Sequence, residues 1–361
     1  MPLSRPSGVL IQHHLTRIPR HILLARTPRT ALTLHRRGDV TTTTIITITT
    51  ITTASTAKMS GEEIKRNPHP DFKKVEASRP DWDADQRFNH KKTADPSWTF
   101  GDGANRLHTA SEAAARHVSI DPYEAGRPAP FNYKLLISAI VPRPVGFVST
   151  VSASRRDGGE DGAEGLNLAP FSYFNIVNHD PPLFVLGVAS PLERPKDTLR
   201  NLLETRECVV NIISEHFVEA ANATSVDAPP GISEWAISGL TPAFDCVGTR
   251  APRVREAVFA VECRLESVRE FESRATPGKK TGCMAVLEGT RFWVREDAVN
   301  DERNLVAPEV LRPMCRLGGI TYGRVTEALE LPRPVFERDV GGMEGYEKLK
   351  ERHKKKEDSS S

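Results

Sequence analysis

The chain has 361 residues with 49 Lys and Arg against 47 Asp and Glu, a net charge of +2, which gives no support to nucleic acid as a main partner. Residues 1–58 hold eight Lys and Arg against one acid, so the remainder is mildly acidic. No apolar run reaches the ~18 residues of a membrane-spanning helix, and Cys208, Cys246, Cys263, Cys283 and Cys315 are too dispersed for a zinc or dithiol motif. The cysteines read as reduced, buried thiols of an intracellular protein.

Residues 1–38 are rich in Arg and His with almost no acid, the composition of a mitochondrial presequence. The TTTTIITITTITTASTA that follows has no helical period and suits neither a presequence nor a packed strand. Two readings stand for 1–58. It is a presequence and the protein mitochondrial, or it precedes a start at Met59 and the protein is cytoplasmic. Residues 59–120 are polar and broken by Pro, with isolated aromatics at Phe72, Trp82, Phe88, Trp98 and Phe100. Such aromatics mark an extended arm that docks on a barrel or a partner subunit, with a short helix at Ala110 to His117.

Dense apolar patterning starts near Tyr133, and residues 141–198 carry the chemistry. Val145 to Val151, Leu168 to Phe174 and Leu183 to Ala189 are strand-like, and the first two are joined by a polar tip at Arg155 to Gly165. Ser149, Thr150 and Ser152 end the first strand, and Asn167, Ser172 and Asn175 punctuate the second. They place hydrogen-bonding groups where a plain sheet has hydrocarbon. Pro195-Lys196-Asp197-Thr198 then opens a helix through Leu199, Leu202 and Leu203. Free N–H groups beside a Lys and a Thr hydroxyl suit a phosphate.

Farther on, Cys208 to Ile213 reads as a buried strand, and Ser214 caps a helix at Glu215 to Ala223. Residues 224–256 form a loop long enough to expect function of it. Val258 to Val268 alternates, with Phe259, Val261, Cys263 and Leu265 on one face. Thr281 to Leu287 and Thr290 to Val294 give two strands around Glu288-Gly289. The glycines of Arg316-Leu317-Gly318-Gly319 imply a close backbone approach, and 336–361 is a charged, solvated tail. No His-Glu-x-x-His, Gly-x-Ser-x-Gly, Walker or Gly-x-Gly-x-x-Gly pattern is present. About seven strands with few helices predict a mainly β chain forming a small Greek-key-like antiparallel barrel.

The ordered set VPRPVGFVSTVS, NLAPFSYFN with a following DPP, and KDTLRNL resembles the flavin reductase-like proteins, which have an FMN-binding split β-barrel. The resemblance runs from about Ile120 to about Pro334 and defines a domain at 121–335. It implies FMN, with FAD as the alternative, and NAD(P)H as donor of a hydride to flavin N5. Lys196 and Thr198 would take the phosphate, with Asp197 contributing its backbone N–H or serving only as a helix cap. Ser149, Thr150, Val151, Ser152, Asn167, Ala169, Pro170 and Ser172 would meet the ring edge. Arg143 and Arg316 are cationic supplements to the cofactor or ordinary surface arginines. His216 touches the nucleotide or is structural, and the same choice holds for His179. A homodimer is implied, as is an oxygenase that receives reduced flavin. Two alternatives to the reductase stand: an FMN-binding electron carrier without NAD(P)H activity, and a flavin-free partner-binding barrel, which the KDT turn opposes. The long acidic tip departs from the compact form of the family.

Overall fold

The computed structural model describes residues 67–155, 165–229 and 231–360. The leader at 1–58, with its two readings of compartment, and the acidic tip at 156–164 lie outside the described residues. The arm holds α1 (Phe72–Ala77), β1 (Asn89–Lys91), α2 (Ala110–Ala113) and α3 (Ala129–Ala139). A capping box between Thr109 and Glu112 starts α2. It is shorter than the expected Ala110 to His117 because none of its residues is buried, and an isolated turn has little else to propagate it. The helix α3 has no counterpart among the sequence expectations. Its apolar residues do not trace one buried face: Ile137 is buried, while Phe131, Leu135 and Leu136 are 51%, 43% and 52% exposed.

The central unit comprises β2 (Gly146–Val151), β3 (Leu166–Phe171), β4 (Phe174–His179), β5 (Pro182–Val188), α4 (Asp197–Thr205), β6 (Glu207–Ile212), α5 (Val218–Ala223), α6 (Glu234–Ser238), the two-residue strands β7 (Pro242–Ala243) and β8 (Arg253–Val254), β9 (Phe259–Glu272) and β10 (Lys280–Val294). After it come α7 (Pro308–Leu311), β11 (Met314–Arg316), β12 (Tyr322–Arg324), β13 (Glu327–Leu329) and α8 (Gly342–Ser360).

Seven strands form one sheet in the order β3-β2-β6-β9-β10-β5-β4, antiparallel at every pairing. The sheet curls until β4 meets β2. A Cβ placed on Gly146 would lie 2.8 Å from the Phe174 ring, so only glycine lets the two strands come this close. The result is an antiparallel barrel left unpaired between β3 and β4, the split barrel expected from the sequence. Its interior packs Val148, Leu186, Leu199, Leu202, Val261 and Leu287, among others. A second apolar layer covers the outer face of β2, β3 and β6 and includes Phe147, Val151, Leu168, Val209 and Trp235. Because β2 is covered on both sides, all six of its residues are buried.

Two strand boundaries differ from expectation for physical reasons. The stretch Leu168 to Phe174 breaks at Ser172-Tyr173, and Phe174 begins a separate edge strand, β4. Only Phe174 of that strand is buried, while Ile176 and Val177 are 57% and 55% exposed, so no in-out alternation announces it. Conversely, the two strands drawn around Glu288-Gly289 are one, β10, which pairs with β9 along its whole length. Its register slips between Val286 and Leu287 and again between Gly289 and Arg291. These irregularities are bulges that bend the ribbon round the barrel, and a bulge shares its glycine signature with a turn.

The expected face of β9 is observed: Val261, Cys263 and Leu265 lie in the barrel interior with Phe259 packed against them. Opposite them, Glu262 is fully buried and accepts from Val247 N–H (3.0 Å), Gly248 N–H (2.5 Å) and Trp293 Nε1–H (2.7 Å). These donors replace the water a carboxylate loses on burial, and they tie the 244–250 loop to the sheet. All five cysteines are free, four of them buried. Burial, reinforced by the Glu262 charge, pushes the Cys246 thiol up to about 11. No helix among the described residues is long and apolar enough to cross a membrane, and none of their His, Cys, Asp and Glu side chains cluster to hold a metal.

Candidate functional site

A cleft of about 470 Å³ opens beside β3, within the range of about 300–1,000 Å³ usual for small-molecule sites. One wall is the start of α4. Lys196 occupies the position before the helix in extended conformation, and no side chain caps the first turn. The backbone N–H groups of Asp197, Thr198 and Leu199 therefore remain available, at the positive end of the helix dipole. Lys196 N–H itself donates to Ser190 Oγ (3.2 Å). The Asp197 carboxylate pairs with Arg200 one turn on, which draws its charge along the helix.

A buried polar network fixes this corner. Asn167 Nδ2 donates to Thr198 Oγ1 (2.8 Å) and to Thr150 Oγ1 (3.2 Å), and Asn201 Nδ2 also donates to Thr150 Oγ1 (3.1 Å). Leu199 and Leu202 anchor the opposite face of α4 in the barrel interior. The helix is thus held by hydrocarbon on one side and by amide and hydroxyl groups on the other.

Of the residues singled out from the sequence, Asn167, Ala169, Pro170 and Ser172 line the cleft, as do Lys196, Asp197 and Thr198 and the two arginines Arg143 and Arg316. The rest are placed elsewhere. Thr150 lies behind the wall and acts through Asn167 and Asn201. Ser149 and Val151 are fully buried, Val151 in the outer apolar layer. Ser152 Oγ pairs with Ser154 Oγ at 2.8 Å. Ser149 and Val151 are withdrawn from the cleft because β2 is a central strand covered on both faces, whereas Ser152 lies just past its end. His216 is also outside the cleft: its Nε2–H donates to the Glu256 carbonyl (2.9 Å) and its ring packs edge-on against Phe217. His179 ends β4 and is likewise not a lining residue.

The structure adds walls that pattern alone did not assign. Tyr133 and Ile137 come from α3, Tyr322 from β12, and Glu234 from α6. Thr224 to Ala228 also line the cleft, in keeping with the function expected of the long 224–256 loop. Glu234 is 8% exposed. Burial pushes its carboxyl above the ordinary 4.5, and the nearby Asp197 charge adds to this, while backbone N–H groups of Glu234 and Leu168 pull the other way. A charged groove along α8, lined by Lys348, Glu351, Arg352, Lys355 and Lys356, lacks the apolar wall a ring would need.

The fold and cleft together define an antiparallel split barrel with a cleft of small-molecule size. A family model described as "Flavin reductase like domain" matches residues 138–310. An uncharacterized Aquifex aeolicus protein is 38% identical over 193 residues, spanning 53% of this chain and 88% of its own length. The uncharacterized protein YwrF of Bacillus subtilis is 33% identical over 202 residues, with 56% and 93% covered. Among solved structures, nitrilotriacetate monooxygenase component B from Bacillus cereus is 35% identical with a TM-score of 0.53, covering 60% of this chain and 100% of that one. The 2-nitrobenzoate 2-nitroreductase NbaA from Pseudomonas fluorescens is 28% identical with a TM-score of 0.51, covering 61% and 98%. The chain belongs to the flavin reductase-like family.

Proposed function

We propose that the chain is a flavin-dependent oxidoreductase that holds FMN in the cleft and takes hydride from NAD(P)H. The observation that carries this is the uncapped start of α4, open to the cleft between Lys196 and the Asn167–Thr198 network. N–H groups, an ammonium and a hydroxyl at one corner match a phosphate monoester. The apolar surface of Pro170, Phe171, Val145 and Ile137 offers a flank for a flat ring, so the residues present fit the cofactor. When bound, the flavin supplies the hydride chemistry and the protein supplies orientation and electrostatics.

On this reading Lys196 and the first turn of α4 hold the phosphate, and Thr150 and Asn201 keep that turn in place. Pro170 and Phe171 would shield the ring from water. No side chain acts as nucleophile or base. The Bacillus cereus neighbour is by its name one component of a monooxygenase, which supports a role in supplying reduced flavin to a separate oxygenase. Exposed Phe131, Leu135 and Leu136 on α3 and Ile176 and Val177 on β4 support a homodimer. The domain boundaries 121–335, with an arm before and a charged tail after, belong to the same proposal.

The test is a titration of the purified chain with FMN followed by NADH or NADPH under anaerobic conditions. Binding of FMN and bleaching of its absorbance by either nucleotide is expected. FMN that binds but is reduced by neither nucleotide would leave the electron-carrier alternative. Lys196→Ala should weaken FMN about tenfold or more while leaving riboflavin, which lacks the phosphate, nearly unaffected.

A further inference from the structure

The cleft has a second cationic feature, away from the α4 corner. Arg143, just before β2, and Arg316, at the end of β11, face each other in an antiparallel bridge, with Arg143 N–H donating to Arg316 O (3.1 Å) and Arg316 N–H to Arg143 O (2.9 Å). Arg143 is 7% exposed. Its Nη1 donates to the carbonyls of Ile137 (2.6 Å) and Ile140 (2.7 Å) at the end of α3, and its Nη2 to Gly318 O (3.4 Å). Its buried Nε has no partner. The Arg316 guanidinium lies over the Tyr322 ring, 4.2 Å from the centroid, and donates to Gly319 O.

Each of these acceptors is neutral. Among the described residues neither arginine makes an ion pair. Carbonyls, two of them at the C-terminal end of α3, and a ring face hold the guanidinium groups in position and offset part of their charge, but no carboxylate neutralises it, and burying a charge without an ionic partner is costly. With Arg143 buried and Arg316 half-buried beside it, the pair calls for an anion from outside the chain.

The cofactor phosphate is not that anion if it occupies the α4 corner. Thr198 is tied to Asn167, which stands opposite Thr150 on β2, whereas Arg143 lies before Gly146, which stands opposite Phe171. Gly146 and Thr150 are four residues apart on an extended strand, so the backbone positions that carry the two features differ by about 13 Å along it. Arg316 and Tyr322 also lie beyond residues 138–310 that match the family model. The cationic wall is therefore built partly from residues that follow the matched stretch, late in the 121–335 domain, on loop and edge segments of the kind that select substrates.

We propose that Arg143 and Arg316 form a second anion subsite that receives a phosphate or carboxylate of the molecule exchanging electrons with the flavin. The proposal rests on the flavin reading given above. Its test is calorimetry on the FMN-loaded chain with two probes, NAD⁺ for the phosphate source and benzoate for the carboxylate source. Wild type is compared with Arg316→Gln and Arg316→Lys, and FMN affinity is followed in each by fluorescence quenching.

At least one probe should bind wild type and lose about tenfold or more in Arg316→Gln, with partial rescue by Lys and FMN affinity changed by less than about threefold. The probe that responds identifies the source. The proposal is overturned if neither probe binds, if neither affinity depends on Arg316, or if the substitution shifts only FMN affinity or the flavin potential, since the arginines would then serve the cofactor. Failure of wild type to bind FMN at all would remove the functional reading as well, and is recognised by the same quenching titration.

Discussion

Glu234 and Glu262 are both buried carboxyls, and their surroundings give them different tasks. Glu262 meets three N–H donors and secures a loop. Glu234 looks into the cleft, where burial and the charge of Asp197 raise its pKa. A carboxyl whose pKa is higher folded than unfolded favours the fold fully below its unfolded pKa and loses that contribution as pH rises through the folded value. Glu234→Gln removes the titration. The melting temperature of wild type relative to this variant should therefore decline as pH rises from about 4.5 and level off once the folded carboxyl has ionised. Paired thermal melts across that window check it, and a difference independent of pH would show that the carboxyl is not desolvated.

At the scale of elements, the decisive one is α4. Its apolar side was legible as Leu199, Leu202 and Leu203 at helical spacing, although Leu203 proves 39% exposed. Its polar side was not, because Thr150, Asn167 and Asn201 come from three elements that meet only when the barrel closes. Thr150→Val keeps the shape of the side chain but strips both amides of an acceptor. The variant should lose about 1–3 kcal/mol in urea unfolding and bind FMN several-fold more weakly. Full FMN affinity in a destabilised variant would mean that leucine packing alone aims the helix. The bulges of β10 teach the same lesson, since Gly289 marks an interruption in the pattern, but only the partner β9 shows that the strand continues through it.

For the whole molecule, the arm and the tail close on each other beside the barrel. The arm strand β1 pairs in parallel with β13, and Arg352 of α8 meets Asp102 of the arm. Arg324 is the clasp: its Nε pairs with Glu215 (2.8 Å), its Nη1 donates to Asp83 O (2.8 Å), and its guanidinium lies 4.2 Å from the centre of the Trp82 ring. Aromatics in a polar stretch had pointed to docking, and Trp82 does dock, on a cation supplied from 242 residues away in sequence. Arg324→Ala should cost about 1–2 kcal/mol and speed tryptic cleavage within 67–128. An unchanged digestion pattern would assign the docking to the β1–β13 pairing.

What the amino-acid sequence determined by itself was the local and the repetitive: strand identity from alternation and apolar runs, the helix start at Lys196-Asp197-Thr198, and the family likeness carried by contiguous motifs. These are properties of neighbours along the chain. The tertiary structure alone decided which polar groups face the cleft. Ser149, Val151 and His216 had looked as eligible as Asn167 or Thr198, yet a strand covered on both faces and a carbonyl at Glu256 absorbed them. Glu234, Tyr133 and the Arg143–Arg316 pair came to line one cleft because a curled sheet brings distant segments together, and no periodicity along a single segment records that meeting.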